Sequence, residues 1–181
     1  MESKLQGINL LIVDDEPDIL SVLEEEIKDA CPNCRVIKAE TYEWAMDLLN
    51  STPYDLVILD IMGVRGFDLL EKAVSLKYRV VMLTAHALTP EALRKAIEMG
   101  ARAYLPKEKI GEIVPFLEDV LSHDPLTAWR RVFEKLGGFF NRRFGSDWQQ
   151  KDEKFWKEFS EKLKTDGSSY VETPTQKLGF Y

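Results

Sequence analysis

The chain has few of the residues that zinc-centred or disulfide-stapled proteins depend on. Its 181 residues include two cysteines and two histidines. A structural zinc site needs four ligands, yet His86 and His123 lie far along the chain from Cys31 and Cys34. The CxxC closes a helical stretch as Cys31-Pro32-Asn33-Cys34, whereas redox pairs of this spacing usually open a helix. Two ordinary reduced thiols are therefore expected. No apolar run approaches the roughly 18 residues of a membrane span, and no signal peptide opens the sequence, so the expected location is cytoplasmic. A basic excess is missing too. The net charge of −7 argues against a dedicated nucleic-acid binder. It is also unevenly spread, with −9 on residues 1–123 and +2 on residues 124–181. The two stretches read as different objects.

Strand and helix patterns alternate through the first 123 residues. Apolar runs predict strands over 8–13, 35–39, 55–60, 79–84 and 102–106. Helical spacing predicts helices over 17–30, 42–51, 67–76, 89–100 and roughly 109–122, the last kinked or delayed by Pro115. Five βα units in succession predict an α/β fold, a doubly wound parallel sheet with helices on both faces.

The most informative residues stand at the strand ends. Leu56-Val57-Ile58-Leu59 reads as a strand buried on both faces, and Asp60 ends it. Open α/β sheets bind ligands outside the carboxyl ends of their strands. Asp14 and Asp15 end the first strand, Thr84 the fourth, and Lys107 follows the fifth. In the common strand order 2-1-3-4-5 the first and third strands are neighbours, so the three acids converge. Two carboxylates ~4 Å apart repel by about 4 kcal/mol at an effective dielectric of 20. Mg²⁺ would relieve this, since it prefers oxygen ligands and is typically held by one or two carboxylates and a phosphate. Lys107 brings a positive charge and Thr84 a hydroxyl donor for phosphoryl oxygens. The set describes phosphoryl transfer to Asp60 as nucleophile. Taken singly, each residue has a plainer reading: Asp14 or Asp15 as a helix cap, Thr84 as a strand end, Lys107 as a surface lysine. Five such residues on one edge of the sheet do not fit a purely structural account.

Residues 8–122 resemble a receiver domain of the two-component response-regulator family. The motifs that carry the resemblance are Val13-Asp14-Asp15-Glu16-Pro17, Leu59-Asp60-Ile61-Met62, Leu83-Thr84-Ala85 and Ala103-Tyr104-Leu105-Pro106-Lys107. The resemblance implies a five-stranded flavodoxin-like sheet and a phosphoryl group passed to Asp60 from a phosphohistidine on a sensor kinase or phosphotransfer protein. It implies Mg²⁺ on Asp15, Asp60 and the backbone carbonyl of Met62, with Asp14 acting mainly through water. It also implies that Thr84 and Lys107 hold phosphoryl oxygens, that Thr84 and Tyr104 move together, and that His86 and Met62 line the approach. Such a protein is a phosphoacceptor rather than an enzyme. An aspartate-nucleophile phosphatase would usually carry a second acid where Met62 stands. Two departures are visible. The family's loop after the acceptor usually has a Met-Pro step and a glycine eight positions on, whereas here Gly66 comes after six. The family's lysine is commonly followed by proline, and Lys107 by Glu108.

Residues 124–165 read as a helical extension of two helices, and residues 166–181 as a polar tail. Asp124-Pro125 is a helix start, Gly137-Gly138 a kink or close-packing point, and Ser146-Asp147 a cap for the second helix. Three of four tryptophans and seven of nine phenylalanines lie beyond residue 123. Surface of that kind does not stay in water. It packs internally or on the receiver, or it forms a homodimer or another partner contact. A membrane-surface helix around Trp129-Arg130-Arg131-Val132-Phe133 and DNA binding are the minor readings. The downstream protein is not readable.

Overall fold

The computed structural model describes residues 3–165. The predicted alternation is present as β1 (Asn9–Val13), α1 (Pro17–Ala30), β2 (Arg35–Ala39), α2 (Tyr42–Ser51), β3 (Leu56–Asp60), α3 (Gly66–Ser75), β4 (Arg79–Thr84), α4 (Pro90–Glu98), β5 (Ala103–Pro106) and α5 (Ile113–Ser122). The strands form one parallel sheet in the order β2-β1-β3-β4-β5. Every residue of β3 is buried, as a central strand covered on both faces requires. The helices each turn one apolar stripe inward, such as Leu20, Leu23 and Ile27 on α1.

Local chemistry explains most element boundaries. Thr41 and Thr89 cap α2 and α4, their hydroxyls accepting from the N–H of Trp44 and Ala92. Residues 109–112 are not α-helical as expected. Lys107–Glu112 is a 3₁₀ segment and α5 begins at Ile113. Pro115 therefore falls in the first turn of α5, where its missing N–H has no intrahelical acceptor to lose.

The two cysteines sit behind β1. Both are buried free thiols, and both Sγ–H groups donate to the Leu5 carbonyl, Cys31 at 3.1 Å and Cys34 at 2.8 Å. Burial and the neighbouring Cys31 push the Cys34 thiol up to about 12, which leaves it protonated and inert.

The chain divides into two compact units, one ending at Ser122 and the next beginning at His123. In the second unit α6 (Pro125–Phe144) starts as predicted. The Asp124 carboxylate accepts from the N–H groups of Leu126 and Thr127, and Pro125 occupies the first position. α6 runs unbroken through Gly137-Gly138, with Gly137 buried. The second cap differs from expectation: Asp147 makes no side-chain cap bond and opens a 3₁₀ turn, Trp148–Asp152, before α7 (Glu153–Thr165). The expected tail over 166–181 lies outside the described residues.

α6 and α7 bury their aromatic faces on each other. Phe133 meets Trp156 and Phe159 edge-on, and Trp129 meets Phe159, all with ring centroids 6.1–6.4 Å apart. Arg130, also buried, donates from Nε to the Leu163 carbonyl at 2.8 Å and so satisfies one of the last carbonyls of α7. Trp129 and Phe133, the rings a membrane-surface helix would have displayed, are 2% and 1% exposed. Gln149 is the exception in this interior, because its buried side-chain amide has no hydrogen-bond partner at either end among the described residues.

Two substitutions in this unit should act in opposite directions. Phe133→Ala is expected to cost about 3–5 kcal/mol. Gln149→Met is expected to stabilise the unit by about 1 kcal/mol, because it removes an unmet polar group. Urea unfolding of the full chain, followed by tryptophan fluorescence, tests both signs.

Candidate functional site

Strand register alone gathers the chemistry. Val13 pairs with Leu59, which brings Asp14 level with Asp60. Asp60 pairs with Leu83 and Thr84 with Pro106, so Thr84 and Lys107 each stand one position beyond a residue paired on the neighbouring strand. Carboxylate oxygens of Asp14, Asp15 and Asp60 lie within 4.8 Å of one another. Asp14 and Asp60 are 1% and 4% exposed, while Asp15 faces solvent. The plainer reading of the first two acids fails, because Glu16 holds the cap position of α1 and no side chain caps it. Asp14 Oδ1 instead accepts from the Glu16 N–H at 2.9 Å.

Lys107 is the hub. Its Nζ lies 2.7 Å from Asp14 Oδ2, 2.8 Å from Glu16 Oε1 and 3.5 Å from Asp60 Oδ2. The shortest of the three contacts, to Asp14, is a buried ion pair. Glu16 was missed in reading the sequence. The signal was available, because a third consecutive acid directly before Pro17 is fixed at the mouth of the site by the start of α1.

The electrostatics follow from burial. Desolvation, with Asp14's charge adding to it, raises the Asp60 carboxyl to about 6. Asp14 is raised too, because desolvation outweighs its ion pair with Lys107. Glu16, by contrast, is held below the usual carboxylate range, first by Lys107 and in smaller part by the nearby His86. The Lys107 ammonium is strongly favoured: its carboxylate neighbours outweigh the desolvation that acts against it.

On the other side of Asp60, Thr84 Oγ1 accepts from the Ala87 N–H at 3.1 Å. Buried Tyr104 donates its hydroxyl to the Ala87 carbonyl. Thr84 and Tyr104 are thus joined through one residue of the β4–α4 loop. Met62 and His86 are exposed.

The short loop after Asp60 is built on its glycines. Gly63 has φ +81, and a Cβ there would meet the Asp15 carboxylate at 2.2 Å. At Gly66 a Cβ would lie 2.0 Å from the backbone oxygen of Asp60, so α3 begins directly against that residue's main chain. Arg65, at φ 53, makes the turn into the helix. The acidic set fits a hard divalent cation on two grounds: oxygens of three carboxylates converge within 4.8 Å, and Gly63 leaves room beside Asp15 that a side chain would fill. The Lys107–Glu108 bond is trans.

This sheet, with an acid cluster at the carboxyl edge of β1 and β3, has the architecture of a receiver domain. The chain belongs to the response regulator receiver domain family, which it matches over residues 10–117, and this is the phosphoacceptor module of two-component signalling. Among curated relatives, the chain is 36% identical over 107 residues to the two-component response regulator ARR18 of Arabidopsis thaliana, covering 56% of this chain and 16% of that protein. It is 29% identical over 112 residues to the sensory/regulatory protein RpfC of Xanthomonas campestris, covering 58% and 15%. It is 33% identical over 113 residues to the sensory transduction protein LytT of Enterococcus faecalis, covering 59% and 46%. The chain spans less than half the length of each. A response regulator from Thermotoga maritima shares the fold with a TM-score of 0.58 and 17% identity, over 65% of this chain and 99% of that one. A receiver domain protein from Methanospirillum hungatei does so with a TM-score of 0.51 and 23% identity, over 80% and 98%.

Two outcomes test this geometry. Gly66→Ala should destabilise the fold by about 2 kcal/mol or more, since the backbone of Asp60 has no room to yield. Asp60→Asn should do the opposite in metal-free protein. A folded pKa raised to about 6 means that ionised Asp60 opposes folding at neutral pH, and protonation relieves this as pH falls from about 6 towards 4. In EDTA at pH 7 the Asn variant should melt a few degrees higher, for a gain of about 1 kcal/mol after allowance for solvent at the mouth. The gain should shrink by pH 5.

Proposed function

We propose that the chain is a response regulator that accepts a phosphoryl group on Asp60 from a phosphohistidine donor, in a Mg²⁺-dependent reaction, and signals through a protein contact. The observation that carries this reading is the placement of Lys107 Nζ 3.5 Å from Asp60 Oδ2, in a cluster of three carboxylates at the mouth of the sheet. Asp15, Asp60 and the Met62 carbonyl would hold the cation, with Asp14 acting through water. When bound, it supplies positive charge against the phosphoryl oxygens.

The chain's own residues do the rest. The Ile61 N–H donates to Asp60 Oδ1 at 2.9 Å and fixes the carboxylate's rotation. As an Asp60 oxygen bonds to phosphorus, the bond from phosphorus to the donor nitrogen breaks and the nitrogen keeps the electron pair. Lys107 follows the transferred group's charge. Thr84, whose oxygen already accepts from Ala87, retains its hydroxyl proton for a phosphoryl oxygen. Turning that hydroxyl towards phosphate draws on the same loop residue that Tyr104 holds, which gives the switch its linkage. The protein is in this sense an acceptor that assists its own phosphorylation and dephosphorylation, rather than an enzyme with turnover.

Incubation of the full chain with a small phosphodonor and Mg²⁺ should add one phosphoryl group by intact mass. Asp60→Asn should abolish the addition, and Lys107→Ala should slow it about a hundredfold. Addition that persists in Asp60→Asn would refute the assignment. A rise in size-exclusion mass on adding beryllofluoride would identify dimerisation as the output.

A further inference from the structure

Lys107 has more partners than its proposed task requires, and the extra one is Glu16. The Glu16 carboxylate sits outside the buried pair, with 53% side-chain exposure, yet it holds Nζ at 2.8 Å while the acceptor Asp60 lies at 3.5 Å. Lys107 is itself 7% exposed, so its ammonium has few other directions available. Glu16 cannot drift far, because its backbone N–H is bonded to Asp14 Oδ1 and the following Pro17 starts α1. Fold and sequence together therefore place an anion at the site's mouth that draws the ammonium away from Asp60.

We propose that Glu16 is a positioning residue that competes with the incoming phosphoryl group for Lys107 and so sets how readily Asp60 is loaded. This rests on the reading of Asp60 as acceptor and Lys107 as its phosphoryl ligand. An arriving phosphoryl oxygen competes for an ammonium that is already hydrogen-bonded to Glu16 Oε1. That competition weakens loading, and it is relieved when the carboxylate is neutralised. The lysine would not be stranded, because Asp14 Oδ2 remains 2.7 Å away.

The test uses the full chain with Mg²⁺ and beryllofluoride, a non-covalent phosphoryl mimic, titrated by ¹⁹F NMR into wild type, Glu16→Gln, Glu16→Asp and Glu16→Gln/Lys107→Met. Glu16→Gln should bind about two- to fivefold tighter, the range carried by an exposed ion pair. Glu16→Asp keeps the charge but is one methylene short of Nζ. If the contact is what matters, it should match Glu16→Gln; if it matches wild type, bulk charge is responsible and the proposal is overturned. An unchanged affinity in Glu16→Gln also overturns it, as does tightening in the double variant relative to Lys107→Met alone. Binding by wild type with no response to Glu16 sinks only this inference. No binding by wild type, or binding retained in Asp60→Asn, sinks the acceptor reading and this inference with it.

Discussion

Two acids that repel each other are kept side by side in a nearly dry place, and one ammonium makes that tolerable. The parallel register of β1 and β3 leaves Asp14 and Asp60 no choice of neighbour. Burial then drives both carboxyls upward, and Lys107 reaches across from the end of β5 to pair with Asp14. An uncompensated charge at this depth would cost several kcal/mol. The stability of the inner strands' acids therefore depends on the residue that follows β5. β5 and its lysine belong to the folding of the site as much as to its chemistry, and a cation would do part of the same work from the solvent side.

The loop after Asp60 shows how far a fold can trim a connection without losing the site. Gly66 lets α3 start against the Asp60 carbonyl, and Gly63 leaves the Asp15 carboxylate unobstructed. Buried Val64 anchors the turn between them. The short loop thus has little freedom to rearrange, and the other flank is built differently. There Ala87 is shared between Thr84 and Tyr104.

Much of this was legible in the residues. β3 announced itself as an unbroken apolar run, and Pro115 foretold a delayed α5. Asp124-Pro125 marked the start of α6 because capping is a local interaction of a few neighbouring atoms. What sequence could not give was anything decided across space. Asp147 looks as good a cap as Asp124, yet a 3₁₀ turn that seats Trp148 under α6 removes the N–H groups it would have served. Glu16 looks like a surface acid until β5 delivers Lys107 to it. The aromatic pattern of the second unit showed that a partner face was needed, but only the packed helices show that α7 supplies it to α6.

The paired thiols behind β1 have a consequence of their own. Both donate to one carbonyl, that of Leu5, so the segment leading into β1 lies over them like a strap and neither sulfur meets solvent while it is closed. A thiol reagent can enter only when that strap lifts. The rate at which Cys31 and Cys34 are modified is therefore a clock for local opening at the rear of the sheet, on the side away from the acids. It can be read without any label placed near the site itself.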